Sequence, residues 1–162
     1  MKKEEIKLSF NRATYKELSS VEKKLINQSK SVLKNAYAPY SGFLVGASLL
    51  LDNGKIVKAN NQENVAFPSG LCAERVALFY AGSEYPDVII KSIAITARFK
   101  SFQVNDIVSP CGACRQVMAE YQERQKNNIR ILLHSSNDEV LIFSKVDDLL
   151  PFIFRSSLLK KH

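Results

Sequence analysis

Several things are scarce in this chain of 162 residues, and each scarcity excludes something. There are three cysteines, an odd number, so no fully paired disulfide framework exists. Thiols used for metal binding or catalysis in a reducing compartment are the better reading, and the cytoplasm is the expected location. There are two histidines, His134 and His162, which leaves little to complete a four-ligand structural zinc site. No apolar run is long: Phe43 to Leu51 is the longest, far short of the ~20 residues needed to span a bilayer. Met1-Lys2-Lys3-Glu4-Glu5 leads into no apolar stretch, so no secretory signal is expected. Repeats, low-complexity tracts and composition breaks are also lacking. The expectation is one domain over residues 1–162, with 1–18 an N-terminal extension of unknown role.

A basic track is missing as well, despite a formal net charge of +7. The excess lies at the two ends, in the stretch up to Lys34 and in Arg155, Lys160 and Lys161, while Asn35 to Phe154 is close to neutral. An enzyme acting on polynucleotides needs cations beside its site, because phosphate neutralisation supplies most of the affinity. Solvated ends account better for this distribution, so neither nucleic acid nor membrane is an expected partner.

What is present reads as an α/β chain. Ile6 to Phe10 alternates and is a candidate short strand. Ser19 or Ser20 can cap a helix whose stripe is Val21, Leu25, Ile26, Val32 and Leu33, running to about Tyr37. Ala38-Pro39-Tyr40-Ser41-Gly42 breaks it. Leu44–Leu51 and Lys55–Ala59 flank Asp52-Asn53-Gly54, a hairpin signal. Pro68-Ser69-Gly70 opens a helix to about Ala81, ended by Gly82, Pro86 and Asp87. Val88 to Ala97 is an Ile-rich strand buried on both faces. A helix from Gly112 to about Glu123 follows, then strands Ile129–His134 and Glu139–Phe143, with a helical turn at Asp147–Leu150. The order after the first helix is ββ-α-β-α-ββ. The spacing therefore predicts a three-layer α/β/α sandwich with a mixed five-stranded sheet.

All three cysteines fall in two segments, Leu71-Cys72-Ala73-Glu74-Arg75 and Pro110-Cys111-Gly112-Ala113-Cys114-Arg115. Three thiolates leave one tetrahedral position open for water, which separates a catalytic zinc from a closed one. Both segments open predicted helices, where exposed amides and the macrodipole lower thiol pKa values. Cys111 and Cys114 lie one turn apart and point at one ion. Cys72 and Glu74 would diverge on a regular helix, so Cys72 is expected at the cap with non-helical backbone. A redox pair at Cys111/Cys114 would leave Cys72 and Glu74 unexplained. His134, on a strand, reads as a core histidine.

With these residues in place, the chain resembles the small, free-nucleoside cytidine deaminases. The resemblance is carried by Ala36 to Ala47, Asn61-Gln62-Glu63-Asn64, Cys72 to Ala77, Ser109 to Met118 and Leu149-Leu150-Pro151, in family order from about Tyr37 to Phe154. It implies one Zn²⁺ per chain on Cys72, Cys111 and Cys114, hydrolytic deamination of cytidine and deoxycytidine in pyrimidine salvage, and a homotetramer. It implies Glu74 as the proton-transferring catalytic group. Phe43, Asn61, Glu63, Ala73 and Phe154 are implied as substrate contacts, with Phe154 donated by a neighbouring chain; the alternative is that Phe152, Ile153 and Phe154 cap their own core. Three thiolates overcompensate Zn²⁺, and Arg75 resembles the family arginine that donates to ligand sulfur, with Arg115 the other candidate. Two departures stand out. Gln62 replaces the usual valine, and Val65-Ala66-Phe67 replaces a small-small-aromatic run, so the pocket wall is expected to differ.

Overall fold

The computed structural model describes residues 1–101, 106–155 and 159. Its strands are β1 (Asn11–Thr14), β2 (Phe43–Leu51), β3 (Ile56–Asn60), β4 (Ile90–Phe99), β5 (Arg130–His134) and β6 (Glu139–Phe143). The helices are α1 (Ser20–Ser31), α2 (Ala73–Glu84) and α3 (Gly112–Gln125). They form one mixed sheet in the order β1-β6-β5-β4-β2-β3, with β4 and β5 parallel and all other neighbours antiparallel.

The sheet has six strands where five were expected, and the extra one comes from the N-terminal extension. β1 pairs with β6 from Asn11 opposite Ile142 to Thr14 opposite Glu139. The expected alternation at Ile6 to Phe10 does not form that strand; Ile6, Leu8 and Phe10 are exposed. Strand β1 is held by backbone pairing and by Arg12 on Glu139 at 2.7 Å, neither of which shows in a hydropathy pattern.

Helix α1 begins as its sequence requires. Ser19 Oγ accepts from the Glu22 N–H, and the Glu22 carboxylate accepts from the Ser19 N–H at 3.0 Å, a reciprocal cap. The same carboxylate binds Arg130 at 2.8 Å, tying the start of α1 to β5. The buried face is Leu25, Ile26 and Ser29, and Val21 lies off it at 53% exposure. At 3.6 residues per turn Val21 stands roughly 80° round the wheel from Ser29, at the edge of the stripe. The helix ends at Ser31, and Leu33–Asn35 is a separate 3₁₀ turn.

Helix α1 covers one face of the sheet, burying Leu25 and Ile26 against Ala94, Leu132, Val140 and Ile142. Helices α2 and α3 cover the other, packing Ala77, Leu78 and Met118 on Leu49, Ile93, Ile95, Ile131 and Leu133. Alternate residues of β4 thus serve opposite layers, so an Ile-rich strand needs no polar face. Contact with α1 is closest at Gly46, where any Cβ would overlap the Ser29 carbonyl oxygen. The β2–β3 hairpin turns where expected, with Gly54 at φ +80°. Strands β4 and β5 run parallel with α3 between them, so the start of α3 lies beyond the carboxyl end of β4, where α/β sheets place their sites.

Candidate metal centre and active site

Cys72 and Cys111 are the N-cap residues of α2 and α3, with extended backbone (φ −69°, ψ 150° and φ −65°, ψ 165°). As expected, Cys72 sits at the cap before the first helical turn, so it and Glu74 escape the divergence that a regular helix would impose. The reason lies upstream: Gln62 and Leu71 exchange two backbone hydrogen bonds of 2.9 Å, which keeps the chain extended up to Cys72. The expected helical entry at Pro68–Gly70 is therefore corrected. Phe67–Ser69 makes only a 3₁₀ turn, and α2 starts at Ala73 and runs through Gly82 to Glu84.

The three sulfurs converge. Cys111 Sγ and Cys114 Sγ are 3.5 Å apart, and all three lie within 4.8 Å of one another. Thiolates about 2.3 Å from one tetrahedral zinc would stand roughly 3.8 Å apart, so the donor set and its spacing fit zinc. Cys72 is drawn down to about 5 by hydrogen bonding from Cys114 and by the Arg75 guanidinium, while that same bond and burial push Cys114 up.

Glu74 lies in the first turn of α2 at 4% exposure, and its Oε2 has no hydrogen-bond partner among the described residues. Burial pushes its carboxyl up to about 7, with the Cys72 thiolate adding to the effect. Arg75 Nη2 reaches Cys72 Sγ at 3.8 Å and the Gly70 carbonyl at 3.4 Å. Arg115 instead donates to the Pro110 carbonyl at 2.8 Å and the Leu149 carbonyl at 2.9 Å, bracing the turn into α3.

A cleft of about 610 Å³ opens over this cluster, lined by Phe43, Val45, Asn61, Glu63, Cys72, Glu74, Ile95 and Ala97 among others. Asn61 is buried, accepts from the Val45 N–H and donates to the Phe43 carbonyl, both at 2.8 Å. One donor hydrogen and one lone pair of its amide remain. Glu63 accepts from the Ser41 hydroxyl and from the Tyr40 N–H at 2.9 Å, and these bonds, the Ser41 hydroxyl foremost, hold its carboxyl below the usual range. Gln62 turns its amide to Asn60, and Phe67, 75% exposed, meets the Tyr40 ring at the rim.

Two of the residues expected to contact substrate, Ala73 and the Phe154 assigned to a neighbouring chain's site, do not line this chain's own cleft. Ala73 is fully buried in the core and its side chain does not line the cleft. Phe154 is 62% exposed and absent from the lining, while Ile153 packs on the core. His162 lies outside the described residues. Ser41 is given no role by sequence reasoning: it stands in a segment read as a helix break and as part of the resemblance, and nothing local says that its hydroxyl meets Glu63.

Three thiols and a buried carboxyl at the foot of a ligand-sized cleft, carried on two helix starts, define a zinc-dependent hydrolase site. A sequence profile described as the cytidine and deoxycytidylate deaminase zinc-binding region matches residues 19–127. The chain is 46% identical over 98 residues to the cytidine deaminase of Sporosarcina psychrophila, covering 60% of this chain and 68% of that one. It is 31% identical over 136 residues to that of Mycoplasma genitalium, covering 82% and 95%. The crystal structure of cytidine deaminase from Burkholderia pseudomallei superposes with a TM-score of 0.70 at 35% identity, over 82% of this chain and 98% of that one. The chain belongs to the cytidine deaminase family, and zinc is its cofactor. No helix among the described residues is long and apolar enough to cross a membrane.

Proposed function

We propose that this chain hydrolyses cytidine and deoxycytidine to uridine and deoxyuridine with release of ammonia, as a homotetramer serving pyrimidine salvage in the cytoplasm. The observation that carries the reading is the buried, singly unpartnered Glu74 carboxyl beside three converging thiols in a cleft of nucleoside size. Cys72, Cys111 and Cys114 would hold the zinc, which when bound acidifies a water for attack on C4 of cytosine.

Glu74 handles the protons. Its carboxylate takes one from the attacking water, passes it to ring N3, and then carries one to the departing amine, so ammonia leaves neutral. Burial of the carboxyl raises its proton affinity above that of an exposed carboxylate, which suits a group that must take a proton as well as give one. Arg75, reaching Cys72 Sγ, offsets part of the surplus negative charge of three thiolates.

The rest of the cleft suits a neutral nucleoside. Phe43 offers a ring face beside the base. The spare amide hydrogen of Asn61 and the ionised Glu63 suit the ribose 3′-hydroxyl as donor and acceptor. A carboxylate at that place repels a 3′-phosphate, which disfavours nucleotides within a strand. Ala73 can contribute only backbone groups. Phe154, which is exposed and whose carbonyl accepts a 2.7 Å bond from Gln116 Nε2, would enter a neighbouring subunit's cleft.

The test is to incubate the zinc-loaded protein with cytidine, deoxycytidine, CMP and a short cytosine-containing oligonucleotide, and to measure ammonia. Release from both nucleosides and not from the oligonucleotide is expected. Release from the oligonucleotide alone would assign a polynucleotide deaminase. Release from none would favour a nucleoside-like antibiotic as substrate or a silent zinc-binding protein.

A further inference from the structure

On the opposite face of the sheet, a second cleft of about 520 Å³ is lined by Lys30, Lys34, Thr96, Arg98, His134 and Ser136, with smaller contributions around them. It lies at the carboxyl ends of the parallel pair β4 and β5, where Thr96 stands opposite His134 in register. Three side-chain cations from three segments surround it: Lys30 near the end of α1, Lys34 in the 3₁₀ turn that follows, and Arg98 near the end of β4. One acid, Asp138, is mostly exposed and stands 4.0 Å from Lys30 Nζ. The carboxyl end of α1 adds an opposing fraction of a charge, which three full cations outweigh.

His134 lines this cleft at 4% exposure, yet neither ring nitrogen has a hydrogen-bond partner among the described residues. Its Nε2 is 3.8 Å from Asp138 Oδ1, too far for a hydrogen bond. Thr96, its neighbour, shares its hydroxyl with Ser29 at 2.7 Å and does not reach for the imidazole. Tyr15, contributed by the N-terminal extension, packs edge-to-face with the imidazole at a centroid separation of 6.3 Å, and Lys30 Nζ lies 4.9 Å over the Tyr15 ring. Buried polar groups are normally satisfied, so an unbonded imidazole facing a cationic cleft calls for a ligand that accepts hydrogen bonds and carries negative charge.

We propose that this cleft binds the phosphoryl group of a small soluble anion, with His134 donating from its base and Lys30, Lys34 and Arg98 closing round it. Tetrahedral oxygens can satisfy an imidazole N–H and several cations at once, which a carboxylate or a halide cannot do from one centre. The volume exceeds what free phosphate fills and leaves room for a sugar-sized carrier. The site is separate from the zinc cleft, touching it only through Ala97, which lines both. It is also outside the chemistry proposed above, so it stands or falls independently of the substrate.

The two histidines of the chain make the test direct. Imidazole resonances of the zinc-loaded, full-length protein are followed by NMR, with His162→Gln supplying the assignment. Inorganic phosphate and ribose 5-phosphate are titrated in separate arms at constant ionic strength held with chloride. The expected result is a saturable shift of the His134 resonance with at least one of the two. Tighter binding of ribose 5-phosphate assigns a phosphorylated metabolite, and equal or tighter binding of phosphate assigns the free ion. Lys34 and Arg98 are exposed and outside the zinc cleft, so Lys34→Glu/Arg98→Glu should fold normally by circular dichroism, with affinity at least tenfold weaker. A His134 resonance that moves no more than with chloride alone, or an affinity changed less than threefold by the charge reversal, overturns the proposal.

Discussion

Replacing Glu74 by Gln isolates the proton transfer from everything else the residue does. The amide has nearly the same volume, so the fully packed start of α2 is not opened. One carboxyl oxygen has no partner among the described residues, so no protein hydrogen bond is lost at that atom. Neutralising a carboxyl that burial already disfavours as an anion removes a cost rather than adding one. The folded protein is therefore expected to be at least as stable in urea as the parent at pH 8. Activity should behave oppositely. General acid–base transfer contributes on the order of 10²–10⁴-fold, or about 3–5 kcal/mol of transition-state stabilisation. Ammonia release from cytidine should fall by at least that factor in kcat, while metal analysis still finds one zinc per chain. A zinc-loaded Glu74→Gln protein with kcat within threefold of the parent would refute the assignment, because a residue with only a packing role would give that result.

Arg75→Ala should weaken zinc retention roughly ten- to a hundredfold in a competition with a chelator. Arg115→Ala should leave zinc retention alone and cost about 1–3 kcal/mol in urea unfolding, since it strips two carbonyls of their donor. His134 gives a pH signature. Burial, and next the nearby Lys30, bring it down to about 4 from an ordinary value near 6.5. The folded chain then refuses a proton that the unfolded chain accepts, so stability is full above about pH 6.5 and declines as pH falls towards 4. That loss should reach on the order of 3 kcal/mol in the parent and be absent from that part of the curve in His134→Gln. Phe154→Ala should raise KM for cytidine about ten- to a hundredfold with zinc retained, given a stacking worth of about 1–3 kcal/mol. Mixing Phe154→Ala with Glu74→Gln after dissociation should restore part of the activity, and mixtures no better than their components would exclude a shared site.

Much of the chemistry was legible without coordinates because it rests on short-range rules. Helix-start signals at both cysteine segments, a ligand set of three thiols and a nearby carboxyl are local facts, and a cap position is the one local geometry that lets Cys72 and Glu74 face the same point. The Asp52-Asn53-Gly54 turn and the Ser19–Glu22 cap are equally local. Other features came only with the tertiary structure. Strand β1 is held through backbone groups that every sequence has, so no side-chain period announces it. Helix α2 starts three residues after Gly70 because Leu71 is pinned to Gln62, a pairing between loops. Ser41 meets Glu63, and Arg75 rather than Arg115 meets sulfur, through contacts that hydropathy does not encode. His134 reads as an ordinary core histidine until three cations from separate segments gather round it. Residue types and spacings determine which reactions a chain can support. Which groups are buried, unpartnered or brought within a few ångströms is decided by long-range packing, and that packing shifts their proton affinities.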